Sequence, residues 1–218
     1  MNTRLTSTTV PAKAAPGLAE KRVSLPITWD GFETIWDVLG NNRAAQLTYY
    51  NGILEIMTPL EPHENASGLI GQFIEIATEE FNLTIKTMGS TRLNRSPLAN
   101  AEPDQGYYIA NEPRVRGKQV NLNIDPPPDL VVEVDITNTD IDKNSLYAAL
   151  GIPEFWRYDG QTLRIYQLQN SKYKEVSVSP TFPNMPKEQL YSFLRDCAQN
   201  GETAAKRNLR VWLRENME

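Results

Sequence analysis

The sequence contains few of the side chains that most often bind metals or act as nucleophiles. Its one cysteine, Cys197, excludes an intramolecular disulfide bond and any zinc site built from several cysteines. Its one histidine, His63, would have to serve in any Ser-His-Asp triad. A metal site in this chain must therefore consist mostly of carboxylates, which favour hard cations such as Mg²⁺ or Mn²⁺.

Long apolar runs are equally scarce. No run approaches the roughly 18 residues that a membrane-spanning helix needs, so we expect no membrane partner. The first residues also lack the hydrophobic block of a signal peptide, and we expect a soluble, cytoplasmic protein. Hydrophobic residues make up 40% of the chain and charged residues 22%, which is the composition of an ordinary globular domain.

Charge is distributed unevenly along the chain. The formal net charge of −5 at pH 7 argues against a general nucleic-acid coat, but it does not exclude a local binding groove. The segment 86–118 is rich in basic side chains and surrounds Asp104. Charged runs of this kind are usually solvated loops, so the segment alone identifies no ligand. Its basic residues are Lys86, Arg92, Arg95, Arg114, Arg116 and Lys118.

Hydrophobic periodicity and turn signals predict the order of helices and strands. Residues 1–22 lack periodicity and are expected to form a flexible tail, whereas residues 23–218 are expected to form one domain. A helix begins after Thr28, and Asn51-Gly52 predicts a hairpin between two strands. A long amphipathic helix is predicted over 63–81.

The middle of the chain predicts a buried central strand. The run 130–136 is rich in β-branched residues, as in strands that are covered on both faces. A helix over 142–150 and a strand over 154–158 follow, which predicts a crossover unit, and a meander and two helices close the chain. The fold class is therefore α/β, with a mixed central sheet flanked by helices and preceded by a helix and a β-hairpin.

Two carboxylates interrupt the central strand. Glu133 and Asp135 are two residues apart, so they share one face of the strand with Val131. An unpaired buried carboxylate costs several kcal/mol, so something must compensate for the charge. The acids can face solvent at the end of the strand, pair with arginine or lysine, or bind a divalent cation.

Two further residues complete a candidate site. Asp104 follows Pro103, whose ring fixes the direction in which the chain enters the next strand. Lys143 opens the helix after the central strand, and Tyr147 lies one turn later on the same face, where we expect it to pack on the lysine stem. Each residue alone is more typical of a turn or of a surface position.

In this order, Pro-Asp, a strand glutamate and a lysine resemble the PD-(D/E)xK restriction-endonuclease-like superfamily. The amino-acid sequence around these residues, over about residues 25–212, resembles the Uma-two family of endonucleases within that superfamily. The segments that carry this resemblance are Glu55-Ile56-Met57-Thr58-Pro59, His63-Glu64, Gly89-Ser90-Thr91, Glu102-Pro103-Asp104, Pro127-Pro128-Asp129-Leu130-Val131-Val132-Glu133-Val134-Asp135-Ile136-Thr137 and Tyr147-Ala148-Ala149-Leu150-Gly151-Ile152-Pro153-Glu154-Phe155-Trp156-Arg157-Tyr158.

The resemblance implies specific roles for these residues. Asp104 and Glu133 would bind Mg²⁺ or Mn²⁺, and Lys143 would be the catalytic lysine. The superfamily usually places its lysine two residues after the strand glutamate, but this chain has Asp135 there. Asp135 would then be a third ligand or bind a metal-bound water, and His63 would position water or a phosphate.

The resemblance also implies a metal-dependent endonuclease that hydrolyses phosphodiester bonds of DNA. Because double-strand cleavage needs two sites, a homodimer is one expectation. The acid at position 135 leaves a second reading open, a catalytically inactive nuclease-fold module that binds nucleic acid or a protein partner. A third possibility is hydrolysis of a different phosphoester, since the net negative charge of the chain gives little non-specific affinity for DNA.

Overall fold

The protein is described here from a computed structural model, which covers residues 19–40 and 42–216. Within these ranges, no helix is both long and apolar enough to cross a membrane. The described residues form six α-helices, which are α1 (Trp29–Leu39), α2 (Glu61–Glu80), α3 (Glu112–Val115), α4 (Lys143–Leu150), α5 (Lys187–Asn200) and α6 (Glu202–Glu215).

Eleven strands in the described part of the chain form two sheets. The first sheet has the order β1-β3-β2-β6-β5, and the second has the order β11-β10-β9-β8-β7-β4. The strands are β1 (Glu20–Pro26), β2 (Gln46–Tyr50), β3 (Ile53–Pro59), β4 (Lys86–Thr87), β5 (Leu93–Arg95), β6 (Ala99–Ala101), β7 (Gln105–Tyr108), β8 (Leu130–Val134), β9 (Glu154–Tyr158), β10 (Leu163–Gln169) and β11 (Lys172–Val176).

The first sheet is antiparallel and contains the predicted hairpin. Asn51 and Gly52 both have positive φ angles, which the tight turn between β2 and β3 requires. Helix α1 begins at the predicted cap, since Thr28 accepts a hydrogen bond from the backbone N–H of Gly31. Phe32 of this helix packs on Tyr49 of β2, which fixes α1 on the sheet.

The second sheet is mixed, as predicted. Strand β8 pairs in parallel with β9 through the crossover helix α4, and it pairs antiparallel with β7. All five residues of β8 are buried. Val132 and Val134 face the layer of α2, α5 and α6, whereas Val131 faces α4 and the first sheet. Because side chains alternate along a strand, Glu133 also faces α4 and the first sheet.

The N-terminal boundary that the sequence predicts is wrong in part. Residues 1–18 of the expected tail lie outside the described residues. Residues 20–22, however, belong to β1, which pairs with β3 along its full length, from Glu20 opposite Pro59 to Pro26 opposite Ile53. Strand β1 therefore belongs to the first sheet, and it brings Arg22 into the interior.

Candidate active site

The chain places Asp104 beside Glu133 through the pairing of β7 with β8. Gln105 pairs with Val132, so the preceding Asp104 lies next to the following Glu133. Asp104 Oδ2 accepts a hydrogen bond of 2.7 Å from the backbone N–H of Val134. Both acids are buried, with 5% and 1% of their surfaces exposed. Asp104 and Glu133 thus lie side by side on neighbouring strands in the interior.

Helix α4 supplies two partners to Glu133. Lys143 Nζ lies 2.8 Å from Glu133 Oε1, and the hydroxyl of Tyr147 donates to the same oxygen. The N-cap Asp142 accepts from the backbone N–H of Ser145 and fixes the start of this helix. Lys143 and Tyr147 therefore both contact Glu133 from the same face of α4.

Burial changes the protonation of these groups. Burial, together with the neighbouring Asp104 and Asp135, raises the pKa of Glu133 to about 7, although Lys143 opposes this shift. Burial by itself would lower the pKa of Lys143, but the adjacent carboxylate of Glu133 raises the pKa of this lysine above its usual range. Burial and Glu133 raise the pKa of Tyr147, so its hydroxyl stays protonated and can donate.

Arg22 is the residue that sequence reasoning missed. Its guanidinium contacts three carboxylates, since Nη1 lies 2.6 Å from Glu55 Oε1, and Nη2 lies 2.8 Å from Asp135 Oδ1 and 3.1 Å from Glu20 Oε2. Only 8% of its side chain is exposed. Arg22 therefore joins acids from β1, β3 and the end of β8 into one network.

Asp135 is not placed as a metal ligand. One oxygen accepts from Arg22, and the other lies 2.8 Å from Nε of Arg157. Because both oxygens are held by guanidinium groups, neither is directed at a cation. The expected role of Asp135 as a third ligand therefore does not fit this geometry, and pairing with arginine accounts for its burial.

His63 lies at the start of α2, on the same side of the site. Its Nε2 lies 3.2 Å from Asp104 Oδ2 and 3.5 Å from Glu20 Oε2. Burial disfavours the imidazolium, but the contact with Asp104 raises the pKa of His63 overall. Despite its burial, the same contact lowers the pKa of Asp104. Neither ring nitrogen has an aligned hydrogen bond among the described residues.

The network, which we call the acid cluster, contains more acidic than basic groups. Its five carboxylates are all at least 95% buried, and four basic side chains, one of them His63, contact them. Such an excess of buried negative charge is costly without a further cation. The acids are Glu20, Glu55, Asp104, Glu133 and Asp135, and the bases are Arg22, Lys143, Arg157 and His63.

Two oxygens of the acid cluster are buried without a hydrogen-bond partner among the described residues, but Glu20 Oε2 still lies 3.1 Å from Arg22, which leaves Glu133 Oε2 as the candidate ligand for a cation. Glu133 Oε2 is buried and has no hydrogen-bond partner within 19–40 and 42–216. In the same part of the chain, no three His, Cys, Asp or Glu side chains are arranged as a complete metal site. A cation held by Glu133 and Asp104 would therefore need water or substrate oxygens as further ligands, which is common for Mg²⁺.

Gln46 connects the acid cluster to an open cavity. Its Nε2 donates to Asp104 Oδ1 over 3.2 Å, and its side chain lines a cavity of about 570 Å³. Arg43 lines the same cavity and pairs with Glu102 at 2.7 Å. No motif in the sequence indicated Gln46, because a lone glutamine in a strand has no characteristic spacing.

Comparison with known proteins adds an independent observation. Residues 29–196 match the model of the Uma2 family, which is described as "Putative restriction endonuclease". No curated protein matches the sequence. The fold is similar to a crystal structure titled "putative nuclease belonging to DUF820" from Anabaena variabilis ATCC 29413. The TM-score is 0.54 and the identity 21%, and the match covers 77% of this chain and 98% of the other.

Proposed function

The chain belongs to the Uma2 family, whose model is described as "Putative restriction endonuclease", and we propose that it is a metal-dependent nuclease that hydrolyses phosphodiester bonds of DNA. The observation that carries the proposal is the unpartnered Oε2 of Glu133, buried beside Asp104 in a cluster with excess negative charge. A divalent cation such as Mg²⁺ or Mn²⁺ would offset that charge.

Asp104 and Glu133 are the residues that would hold the cation. When bound, the cation would supply Lewis-acid stabilisation of a phosphate oxygen and a more acidic water. Lys143 and Tyr147 both donate to Oε1 of Glu133, so they hold the carboxylate in one orientation and leave Oε2 for the cation. Tyr147 is thus proposed as a positioning residue.

Two other residues would act on the substrate side of the site. As an ammonium, Lys143 would stabilise negative charge that develops on the scissile phosphate. His63 lies within 3.2 Å of Asp104 and would orient that carboxylate or a nearby water. Arg22 and Arg157 each bind one oxygen of Asp135, so their role in this proposal is to maintain the geometry of the acid cluster.

The proposal is tested by a DNA cleavage assay in magnesium and in EDTA. We expect cleavage by the native protein in magnesium only, and loss of cleavage in Glu133→Gln. The matched control is Glu154→Gln, because Glu154 is equally buried on the adjacent strand but accepts only from neutral donors. Equal cleavage in EDTA, or by Glu133→Gln, would contradict the metal mechanism.

A non-catalytic nuclease-fold module is the second candidate, because every oxygen of Asp135 and one oxygen of Glu133 are held by basic groups. Isothermal titration calorimetry with Mn²⁺ separates the two. Binding that is lost in both Asp104→Asn and Glu133→Gln supports the nuclease. The absence of binding, together with nucleic-acid affinity, favours the module.

A further inference from the structure

Strand β1 forms an open edge of the first sheet. It pairs with β3 on one side and, among the described residues, has no strand on the other. Such an edge carries unpaired backbone N–H and C=O groups that pair readily with another strand. Of the four edge strands in the described part of the chain, β1 is the longest with seven residues, whereas β4 has two, β5 three and β11 five. The edge of β1 is therefore the longest surface for strand addition on the two sheets.

Hydrogen bonds at the two ends of β1 show which of its backbone groups point outward. The N–H of Leu60 donates to the carbonyl of Ala19, and the N–H of Ile27 donates to the carbonyl of Gly52, both in the register of the β1–β3 pair. Because bonded pairs alternate along an antiparallel ladder, the odd-numbered residues of β1 bond to β3. The N–H and C=O groups of its even-numbered residues therefore point to the open edge.

The odd-numbered side chains of β1 add apolar surface beside this edge. Val23 and Leu25 lie opposite Ile56 and Leu54 of β3, so they share the sheet face on which α1 packs. Helix α1 does not cover them, since 57% of Val23 and 38% of Leu25 are exposed. The edge thus presents backbone hydrogen-bonding groups and apolar side chains together.

One side of α1 extends the same apolar surface. A Cβ atom at Gly31 would lie 2.6 Å from Cγ1 of Ile27, which directly follows β1, so this side of the helix faces the end of β1. Val38 lies two turns after Gly31 on that side, and both Val38 and Leu39 are exposed. Four of the nine exposed large hydrophobic side chains within the described residues therefore form one surface, the β1 face, which consists of Val23, Leu25, Val38 and Leu39.

We propose that β1 pairs antiparallel with β1 of a second copy of this chain, so that the two first sheets become one continuous sheet. Pairing over the full length of the strand centres the two-fold axis on Val23, which then lies opposite itself. The outward N–H groups of Arg22 and Ser24 meet the outward carbonyls of Ser24 and Arg22 in the other copy. Pro26 lies opposite Glu20 at the end of the pair, where its missing N–H removes one bond only.

The side chains favour a second copy over an unrelated strand. At the axis, the two Val23 side chains form a non-hydrogen-bonded pair, in which side chains approach most closely. The exposed Lys21 of one copy points toward the end of β1 in the other, where the exposed Asp30 lies in the first turn of α1, so the charges that meet are opposite. Lysine and proline at an edge usually discourage pairing, but Lys21 and Pro26 fall near the ends of the paired strand. The β1 face is therefore complementary to itself.

Charges placed at the axis test this arrangement. Val23→Lys and Val23→Asp each set two like charges opposite one another, whereas an equimolar mixture of the two variants pairs opposite charges. Because Val23 is 57% exposed, both variants should leave the fold intact. The matched control is Val211→Lys, since Val211 is 51% exposed on α6, in the helix layer of the second sheet. Sedimentation velocity of the full chain at micromolar concentration measures the dimer.

We expect the native protein and Val211→Lys to form dimers, and the dissociation constant of each Val23 variant alone to rise about tenfold. The mixture of Val23→Lys and Val23→Asp should recover the dimer. A monomeric native protein would overturn the proposal. A native dimer that Val23→Lys leaves unchanged, or that the mixture does not restore, would overturn it as well.

Hydrogen exchange distinguishes strand pairing from contact between side chains alone. The outward amides of Arg22 and Ser24 should exchange slowly in the native dimer and about tenfold faster or more in monomeric Val23→Lys. The amides of Lys21 and Leu25 bond to β3 and should stay protected in both, which also shows that β1 remains folded. Fast exchange of Ser24 in the native dimer would contradict the pairing. Because neither assay contains metal or DNA, its result does not depend on the proposed function.

Discussion

Two kinds of buried carboxylate occur in this fold, and they are stabilised in different ways. Glu154 accepts hydrogen bonds from Trp156, Ser179 and Thr181, all of them neutral donors. Both of its oxygens are satisfied. In the acid cluster, by contrast, five carboxylates lie around four basic side chains, and Glu133 keeps one oxygen without a partner.

The comparison separates a structural acid from one that is available for chemistry. An isolated buried carboxylate with a full set of neutral donors needs no cation, and Asp129 is a second example, since it accepts from Ile109 and Asn111. Carboxylates that share one small volume repel each other, and burial amplifies that repulsion. The acid cluster is therefore the part of the described chain in which a bound cation would offset the most repulsion between buried carboxylates.

Loss of the central guanidinium should have the largest effect. Arg22→Ala leaves the three carboxylates of Glu20, Glu55 and Asp135 without their shared partner, so we expect the free energy of unfolding to fall by about 3–5 kcal/mol. Urea denaturation measures this change. Arg164→Ala, which removes an exposed pair, is the control and should stay within about 1 kcal/mol of the native protein.

Arg22→Lys sharpens the same test. A lysine cannot present a planar fork to several carboxylates, so we expect it to recover only part of the lost stability. An unchanged denaturation midpoint in Arg22→Ala would show that the acid cluster does not depend on this guanidinium, and the contrast with Glu154 would lose its basis.

Magnesium should stabilise the protein through the acid cluster alone. At a concentration of one hundred times the dissociation constant, a ligand that binds only the folded state adds about 2.7 kcal/mol. We expect this gain in the native protein and in Glu154→Gln, and its loss in Glu133→Gln. Thermal denaturation with and without magnesium measures it. A gain that survives in Glu133→Gln would place the cation elsewhere.

The hydroxyl of Tyr147 should contribute more than that of a tyrosine outside the acid cluster. Tyr147 donates to a carboxylate, whereas Tyr173 donates to the backbone carbonyl of Ile152. We expect Tyr147→Phe to cost about 1.5–3 kcal/mol and Tyr173→Phe about 0.5–1.5 kcal/mol, as measured by urea denaturation. Equal losses of stability in the two variants would show that a hydroxyl bound to a carboxylate contributes no more than one bound to a backbone carbonyl.

The smallest expected effect on stability, and one that depends on pH, comes from a carboxylate near the surface. Glu80 at the end of α2 contacts Arg214 and Arg210 of α6, and the hydrogen bond from Arg214 lowers the pKa of Glu80. Because the pKa of Glu80 is lower in the folded state than in the unfolded state, where it is near 4.5, ionised Glu80 stabilises the fold above about pH 4.5. This stabilisation disappears as the pH falls through the folded-state pKa. Arg214→Ala should therefore lose a little stability at neutral pH and none in acid.

The sequence predicted the elements that have a clear hydrophobic or turn pattern. Asn51-Gly52 predicted the hairpin because only residues that tolerate positive φ fit its turn. The run of valines in β8 predicted a strand covered on both faces, and its two acids predicted compensation by nearby groups. Lys143 and Asp104 could be associated with Glu133 through the motif order.

Strand β1 could not be predicted, and the reason is physical. Its inward residues include Glu20 and Arg22, whereas Val23 and Leu25 are exposed, so the usual hydrophobic alternation is inverted. The charged face becomes favourable only when Glu55 and Asp135 are brought to it by distant strands. The centre of the acid cluster therefore depends on tertiary contacts that no local pattern records.

The most direct test is a crystal soaked in manganese, with the anomalous signal of the cation measured. We expect a peak within ligand distance of Glu133 Oε2 and of a carboxylate oxygen of Asp104, with Asp135 still bound by Arg22 and Arg157. A fully ordered acid cluster with no anomalous peak there, or a peak bound elsewhere, would contradict it.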